Sequence, residues 1–163
     1  MILKDSLLRG GVWYNVWRPE AEKKSPDSLW FIPSFFSALN THEFSYDARL
    51  PEAILSREKR QSTNLGNGIA IPHPNHDDAF DSAQGEEGSA DTIFLVYPRF
   101  PLKWDDGTLV FAVFFVCMEN KEKHLQALSE LARTFSRSSM LERLRNHEAL
   151  DTVLAEIDSA KLR

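Results

Sequence analysis

The 163-residue sequence contains a single cysteine, Cys117. An intrachain disulfide is therefore impossible, and a disulfide-stapled scaffold is excluded. Long hydrophobic runs are missing too. The longest, Leu109 to Met118, falls short of the about 20 apolar residues that span a bilayer. Its Val and Phe content reads as a strand buried on both faces. The start, Met1-Ile2-Leu3-Lys4-Asp5, lacks the basic segment and apolar stretch of a targeting signal. There is no basic excess: 19 Lys and Arg stand against 24 Asp and Glu, a net charge of −5. That balance argues against a nucleic acid or an anionic membrane as partner, since both need a basic face. It fits a basic protein partner. The expectation is one cytoplasmic domain over residues 1–163, with no nucleic acid bound and no membrane insertion.

What is present is ordinary globular material, 42% hydrophobic and 26% charged. A chain of this length buries roughly two-thirds of its unfolded surface and folds without staples. Met1 to Leu8 reads as a short helix or arm stopped by Gly10-Gly11, and Val12 to Val16 as a strand. Ser25-Pro26 is a helix-start signal, followed by Leu29, Ile32, Phe36 and Leu39 at helical spacing. Pro33 is expected to kink or split that helix. Pro51 opens another, with Ile54 and Leu55 facing inward and an end near Arg60. Asn75 to Ala90 is acidic, small and polar, and reads as a solvated loop. Thr92 to Tyr97 and Leu109 to Met118 are strands, with Asp105-Asp106-Gly107 as a turn between them. Asn120 is placed to cap a helix whose stripe is Leu125, Leu128, Leu131, Ala132 and Phe135. Ser139 and Glu142 match a capping box. Leu150, Val153, Leu154 and Ile157 mark a last helix. Strands interleaved with helices define an α/β class.

The most informative stretch is Ser62-Thr63-Asn64-Leu65-Gly66-Asn67-Gly68-Ile69-Ala70-Ile71-Pro72-His73-Pro74. Glycine and asparagine tolerate positive φ, and turns built from them bring backbone N–H groups together as an anion-binding nest. His73 sits between two prolines that restrict its backbone, so its imidazole is held where a group could arrive in line. The glycines fit neither a phosphate loop nor a dinucleotide fingerprint, and a surface turn that happens to contain His is the bland alternative. His73, His76, Asp77 and Asp78 form a second candidate set, for a metal, but no dense ligand cluster accompanies them. His124 falls in the first turn of the helix capped by Asn120, where the dipole welcomes an anion. Arg57 precedes the glycine turn, and a guanidinium suits phosphate oxygens. A partly buried structural histidine and a solvated helix arginine beside Glu58 are the respective alternatives. His42 and His147 lie among polar residues and read as surface histidines.

Leu55-Ser-Arg57-Glu58-Lys59, Ser62-Thr63 and Gly66-Asn67-Gly68-Ile69-Ala70-Ile71-Pro72-His73 resemble the enzyme IIA domain of the bacterial sugar phosphotransferase system, mannitol/fructose class, which includes a nitrogen-regulatory subgroup. Lys123 to Ala132 resembles that family's second signature, and Gly10-Gly11-Val12-Trp13-Tyr14-Asn15-Val16 the regulatory subgroup. The resemblance spans nearly the whole chain. It implies a five-stranded mixed β-sheet with helices on both faces. It also implies that His73 takes a phosphoryl group from the phosphohistidine of HPr, or an HPr-like carrier. The group then passes to an enzyme IIB component or remains as a regulatory mark. His124 would support the imidazole and the phosphoryl oxygens, and Arg57 would stabilise phosphoryl charge. Ser62, Thr63, Gly66, Asn67 and Gly68 would position the loop and the phosphoryl group. No cofactor or metal is implied, because the donor is already a phosphohistidine.

The sequence departs from the family pattern at Asn64, at the excursion Pro74 to Ala90, and at Lys103-Trp104-Asp105-Asp106. The last two fall where partners would dock. Three readings follow: a carrier acting through separate partners, a regulatory module whose phosphorylation controls docking to a target protein, and a metal-dependent hydrolase using His73, His76 and Asp77. Cys117 reads as core packing, which leaves histidine as the phosphoryl acceptor.

Overall fold

Two strands, Thr92–Tyr97 and Ala112–Cys117, carry β-branched, aromatic and aliphatic residues with hardly a polar break. Such strands must be covered on both faces, and their period-2 alternation says by what. A computed structural model of the chain describes residues 1–14, 28–77, 91–104 and 107–161. In it the helices are α1 (Ile2–Gly10), α2 (Ser28–Thr41), α3 (Leu50–Arg60), α4 (Lys121–Phe135), α5 (Ser138–Arg145) and α6 (Leu150–Lys161). The strands are β1 (Val12–Tyr14), β2 (Ile69–Ala70), β3 (Thr92–Tyr97), β4 (Leu102–Lys103), β5 (Leu109–Val110) and β6 (Ala112–Cys117).

The main sheet has the order β1-β3-β6-β2. β1 runs parallel to β3, β2 parallel to β6, and β3 antiparallel to β6, so the sheet is mixed. β4 and β5 form a separate antiparallel ribbon. The described strands thus divide into four plus two. Ile93, Leu95 and Tyr97 of β3, with Ala112, Phe114 and Val116 of β6, face one core formed with α1, α4, α5 and α6. Phe94, Val96, Val113, Phe115 and Cys117 face the other, closed by α2, α3 and the ribbon. In that second core Phe35 of α2 stacks on Phe115 at 4.5 Å and meets Phe94 edge-on at 5.2 Å.

Several local expectations hold. α1 ends at Gly10, with Gly11 at φ +78° as its cap. α3 has Pro51 in its first turn and a fully buried Ile54. The Asn120 side chain accepts the Lys123 N–H at 3.0 Å and caps α4. Others are corrected. Pro33 does not split α2, which continues as one helix because Phe31, Ile32, Phe35, Phe36 and Leu39 are all seated in one core and tie both halves to it. The apolar run Leu109 to Met118 is not one strand. It breaks at Phe111, whose N–H and that of Ala112 both point to the Gly68 carbonyl, at 2.8 and 3.3 Å. The helix α4 is rotated from the expected stripe. It buries His124, Ala127, Glu130, Leu131, Thr134 and Phe135, while Leu125 is 55% exposed and Ala132 is exposed.

Ser139 does not cap α5. Arg137 takes that place without a side-chain bond, and the Ser139 hydroxyl donates to Glu156 of α6 instead. His147 is not a solvated residue. It stacks on Tyr97 at 4.4 Å, and its Nε2–H donates to the Phe111 carbonyl at 2.8 Å. His42 is exposed, as expected. Of the expected features, Ser25-Pro26, Asn15-Val16 of the first strand, Asp105-Asp106, and Asp78 with most of the acidic stretch lie outside the described residues. So does the Leu29 side chain.

The seat of α1 on the sheet depends on one missing side chain. A Cβ at Gly10 would overlap the Ile93 carbonyl of β3. Gly10→Ala should therefore lower the unfolding free energy by roughly 1–3 kcal/mol through forced overpacking, read from the midpoint of urea denaturation. An unchanged midpoint would show that α1 is not pressed against β3.

Candidate functional site

The chain reaches His73 along a backbone fixed on both sides. β2 pairs with β6 through Ile69↔Ala112 and Ala70↔Val113. Beyond β2, Ile71 N–H donates to the Thr63 carbonyl at 3.2 Å, and Val116 N–H to the Pro72 carbonyl at 3.0 Å. The imidazole that follows is 8% exposed. Its Nδ1 lies 2.6 Å from the Ile71 carbonyl oxygen. A carbonyl can only accept, so Nδ1 carries the proton and donates, and the lone pair is left on Nε2. Burial pushes the His73 pKa down to about 4, against a raising effect of the Ile71 hydrogen bond, and the charges of Arg57 and His76 lower it further. The ring is therefore neutral across the physiological range. Between about pH 6.5 and 4 the unfolded chain binds a proton that the folded one refuses. The shift thus costs nothing at neutral pH and costs the fold about 3 kcal/mol on acidification below 4.

His124 arrives from the other direction. β6 ends at Cys117, and a short turn leads to the Asn120 cap and α4. Asp91, at the entry to β3, accepts Glu119 N–H at 2.7 Å and pairs with Lys123 at 3.1 Å. These contacts fix the start of α4 against the sheet and place His124, 7% exposed, in its first turns. The His124 ring centroid lies 4.7 Å from that of His73 at an interplanar angle of 48°. His76, also 7% exposed, lies 4.6 Å from His124 at 33°. Arg57, on the last turn of α3, donates to the Gln61 carbonyl at 2.6 Å, and its charge acts on His73. His73 and His124 are thus brought to one place, within reach of the Arg57 charge.

The glycine loop is braced rather than loose. Glu58 of α3 is 1% exposed. One carboxylate oxygen accepts Thr63 N–H at 2.9 Å and Trp104 Nε1–H at 2.7 Å, and the other accepts the Thr63 hydroxyl at 2.7 Å. Ser62 Oγ accepts Asn64 N–H at 3.1 Å, Asn64 Oδ1 accepts Gly66 N–H at 2.9 Å, and the Asn64 amide donates to the Thr108 hydroxyl. Gly66 and Gly68 have φ of +84° and +90°, a region that disfavours any Cβ. At Gly68 a Cβ would also overlap the Phe111 ring. The buried Asn67 Oδ1 has no hydrogen-bond partner among the described residues. Ser62, Thr63, Gly66 and Gly68 are therefore seen as the frame of the loop.

One member of the site escaped sequence reasoning, and another was singled out only as a metal ligand. Glu58 enters the sequence only as a neighbour of Arg57 in the family-like motif, because nothing local announces a bond to Thr63 or Trp104. His76 was visible only through its His-x-x-His spacing, which points to a metal. Among the described residues no group of three or more His, Cys, Asp or Glu is arranged to hold a metal ion. Cys117 is buried, and burial pushes its thiol up to about 12. It is a poor nucleophile in that state. Chemically, the site offers a neutral, fixed imidazole nitrogen beside a second imidazole, under the influence of the Arg57 charge.

Comparison with known proteins bears on this arrangement. The chain is 35% identical over 104 residues to the mannitol-specific phosphotransferase enzyme IIA component of Halalkalibacterium halodurans, covering 64% of this chain and 66% of that protein. It is 34% identical over 113 residues to the nitrogen regulatory protein of Klebsiella oxytoca, covering 66% of each. It spans only 15% to 25% of the length of six other curated relatives. The crystal structure of the nitrogen regulatory protein IIA-Ntr from Neisseria meningitidis superposes with a TM-score of 0.69 at 25% identity, over 96% of this chain and 99% of that one. Among the described residues no helix is long and apolar enough to cross a membrane. Residues 32–160, which include both signature segments and all three histidines of the cluster, match the family model for the phosphoenolpyruvate-dependent sugar phosphotransferase system, EIIA 2, and the chain belongs to that family.

Proposed function

We propose that the chain is a phosphoryl carrier with a phosphohistidine intermediate on His73. The observation that carries this reading is the Nδ1–H bond to the Ile71 carbonyl. It leaves Nε2 as a lone-pair nucleophile on a ring that burial keeps neutral. In the reaction the His73 Nε2–P bond forms as the donor's N–P bond breaks, and the donor imidazole leaves as the neutral ring. His73 keeps its Nδ1 proton throughout. No redox or nucleotide partner is required for that balance.

Charge on the transferring group spreads over its equatorial oxygens. His124, one ring away, and Arg57, whose charge already acts on His73, are the side chains to meet it. Ser62, Thr63, Gly66, Asn67 and Gly68 hold the loop and help position the phosphoryl group. The donor is HPr or an HPr-like carrier, and the acceptor an enzyme IIB component, in the cytoplasm. One domain over residues 1–163 would carry both steps. A second reading, a regulatory module whose phosphorylation state controls docking to a target protein, is favoured by one observation. Gly10-Gly11-Val12-Trp13-Tyr14-Asn15-Val16 resembles the regulatory subgroup of the family.

Incubation with enzyme I, HPr and phosphoenolpyruvate should place one acid-labile, base-stable phosphoryl group on His73, and His73→Ala should take none. A folded wild-type chain that accepts no label from any HPr paralogue would contradict the carrier reading. His124→Ala should slow label transfer by roughly 10²-fold, the scale of one lost transition-state donor, with an unchanged melting temperature. Full-speed transfer would remove His124 from the mechanism. Chasing the labelled chain with an enzyme IIB separates the two readings: loss of label marks a carrier, and retained label with altered binding of a target marks a regulator.

A further inference from the structure

The cluster around His73 holds a third imidazole that the reaction written above does not use. His76 lies three residues beyond His73, past Pro74, and is 7% exposed. Its ring centroid stands 4.6 Å from that of His124 with the planes at 33°. This lies within the range in which flat rings pack favourably. The His124 ring therefore meets two other imidazoles, His73 at 4.7 Å and His76 at 4.6 Å. His76 is also close enough for its charge to act on His73.

A side chain that meets a transition-state oxygen must be held to within a fraction of an ångström. The backbone of α4 fixes the Cα of His124, but the orientation of its ring is set by what packs on it. We infer that His76 is a positioning residue for phosphoryl transfer, acting through His124: its ring braces the His124 imidazole in the orientation that faces His73. The inference rests on the phosphoryl-carrier reading above. It assigns no new chemistry to His76, which neither takes the phosphoryl group nor moves a proton in the step. The brace is a matter of ring shape, so a flat ring without nitrogen should replace it, and a flexible amide should not.

The test is the single-turnover rate of His73 labelling in the full chain as phospho-HPr is raised to saturation, the saturating rate taken as kcat and the half-saturating concentration as KM, for wild type, His76→Ala, His76→Phe and His76→Gln, each checked by melting temperature. His76→Ala and His76→Gln should lower kcat by roughly 10-fold with the KM for phospho-HPr unchanged, since about 1 Å of misplacement costs up to 10²-fold. His76→Phe should recover most of that loss. The His124 ring protons should shift and broaden in the nuclear magnetic resonance spectrum of the alanine variant and return toward wild-type positions in the phenylalanine variant. If His76→Ala does not fold, the contrast between phenylalanine and glutamine decides. A kcat within twofold of wild type in the folded alanine or glutamine variant would overturn the inference, as would a phenylalanine variant no faster than these, or a loss confined to KM. Failure of the wild type itself to take label would instead overturn the carrier reading on which the inference stands.

Discussion

The Ile71 carbonyl, by accepting the Nδ1 proton of His73, sets the terms for the rest of the site. It fixes a tautomer, and the tautomer decides which nitrogen can act as nucleophile. The bond would be of little use on a mobile backbone. Here the carbonyl belongs to a segment clamped between the Thr63 carbonyl on one side and β6 on the other. Burial of the ring then outweighs the pull of that bond toward the imidazolium. The ring stays neutral, with its lone pair on Nε2 and no general base needed to expose it.

The fold serves that bond at two points. Glu58 joins α3, the glycine loop and Trp104 of the neighbouring segment through one buried carboxylate. Burying a carboxylate is costly unless its oxygens are bonded, and three donors meet that demand here. The second point is the start of α4, where the Asn120 cap and Asp91 hold the helix that presents His124. The Gly68 carbonyl ties the glycine loop to the sheet, since it receives the two amides at which the chain passes from the β4–β5 ribbon into β6.

Much of this was legible from residue order. Thr92–Tyr97 is a strand with the expected bounds, Asn120 caps the expected helix, and the Gly66 to His73 run led to a histidine that the structure sets beside His124. What was not legible depends on partners far along the chain. Pro33 is carried inside α2 because tertiary packing outweighs a lost hydrogen bond. The break at Phe111 comes from a carbonyl more than forty residues earlier. Leu125 faces outward because His124 and Ala127 take the inward face, and a count of apolar residues cannot fix the phase of a helix that buries a histidine. His147 and Ser139 have their partners in Phe111 and Glu156, beyond the reach of local rules.

The fold itself holds His73 neutral, with its proton on Nδ1. A pH titration of the imidazole nitrogens of the full chain by ¹⁵N nuclear magnetic resonance tests it directly. His73 should resonate as the Nδ1–H tautomer at neutral pH and take its second proton only near pH 4. A midpoint at or above 6.5, or a ring protonated on Nε2 at neutral pH, would contradict it.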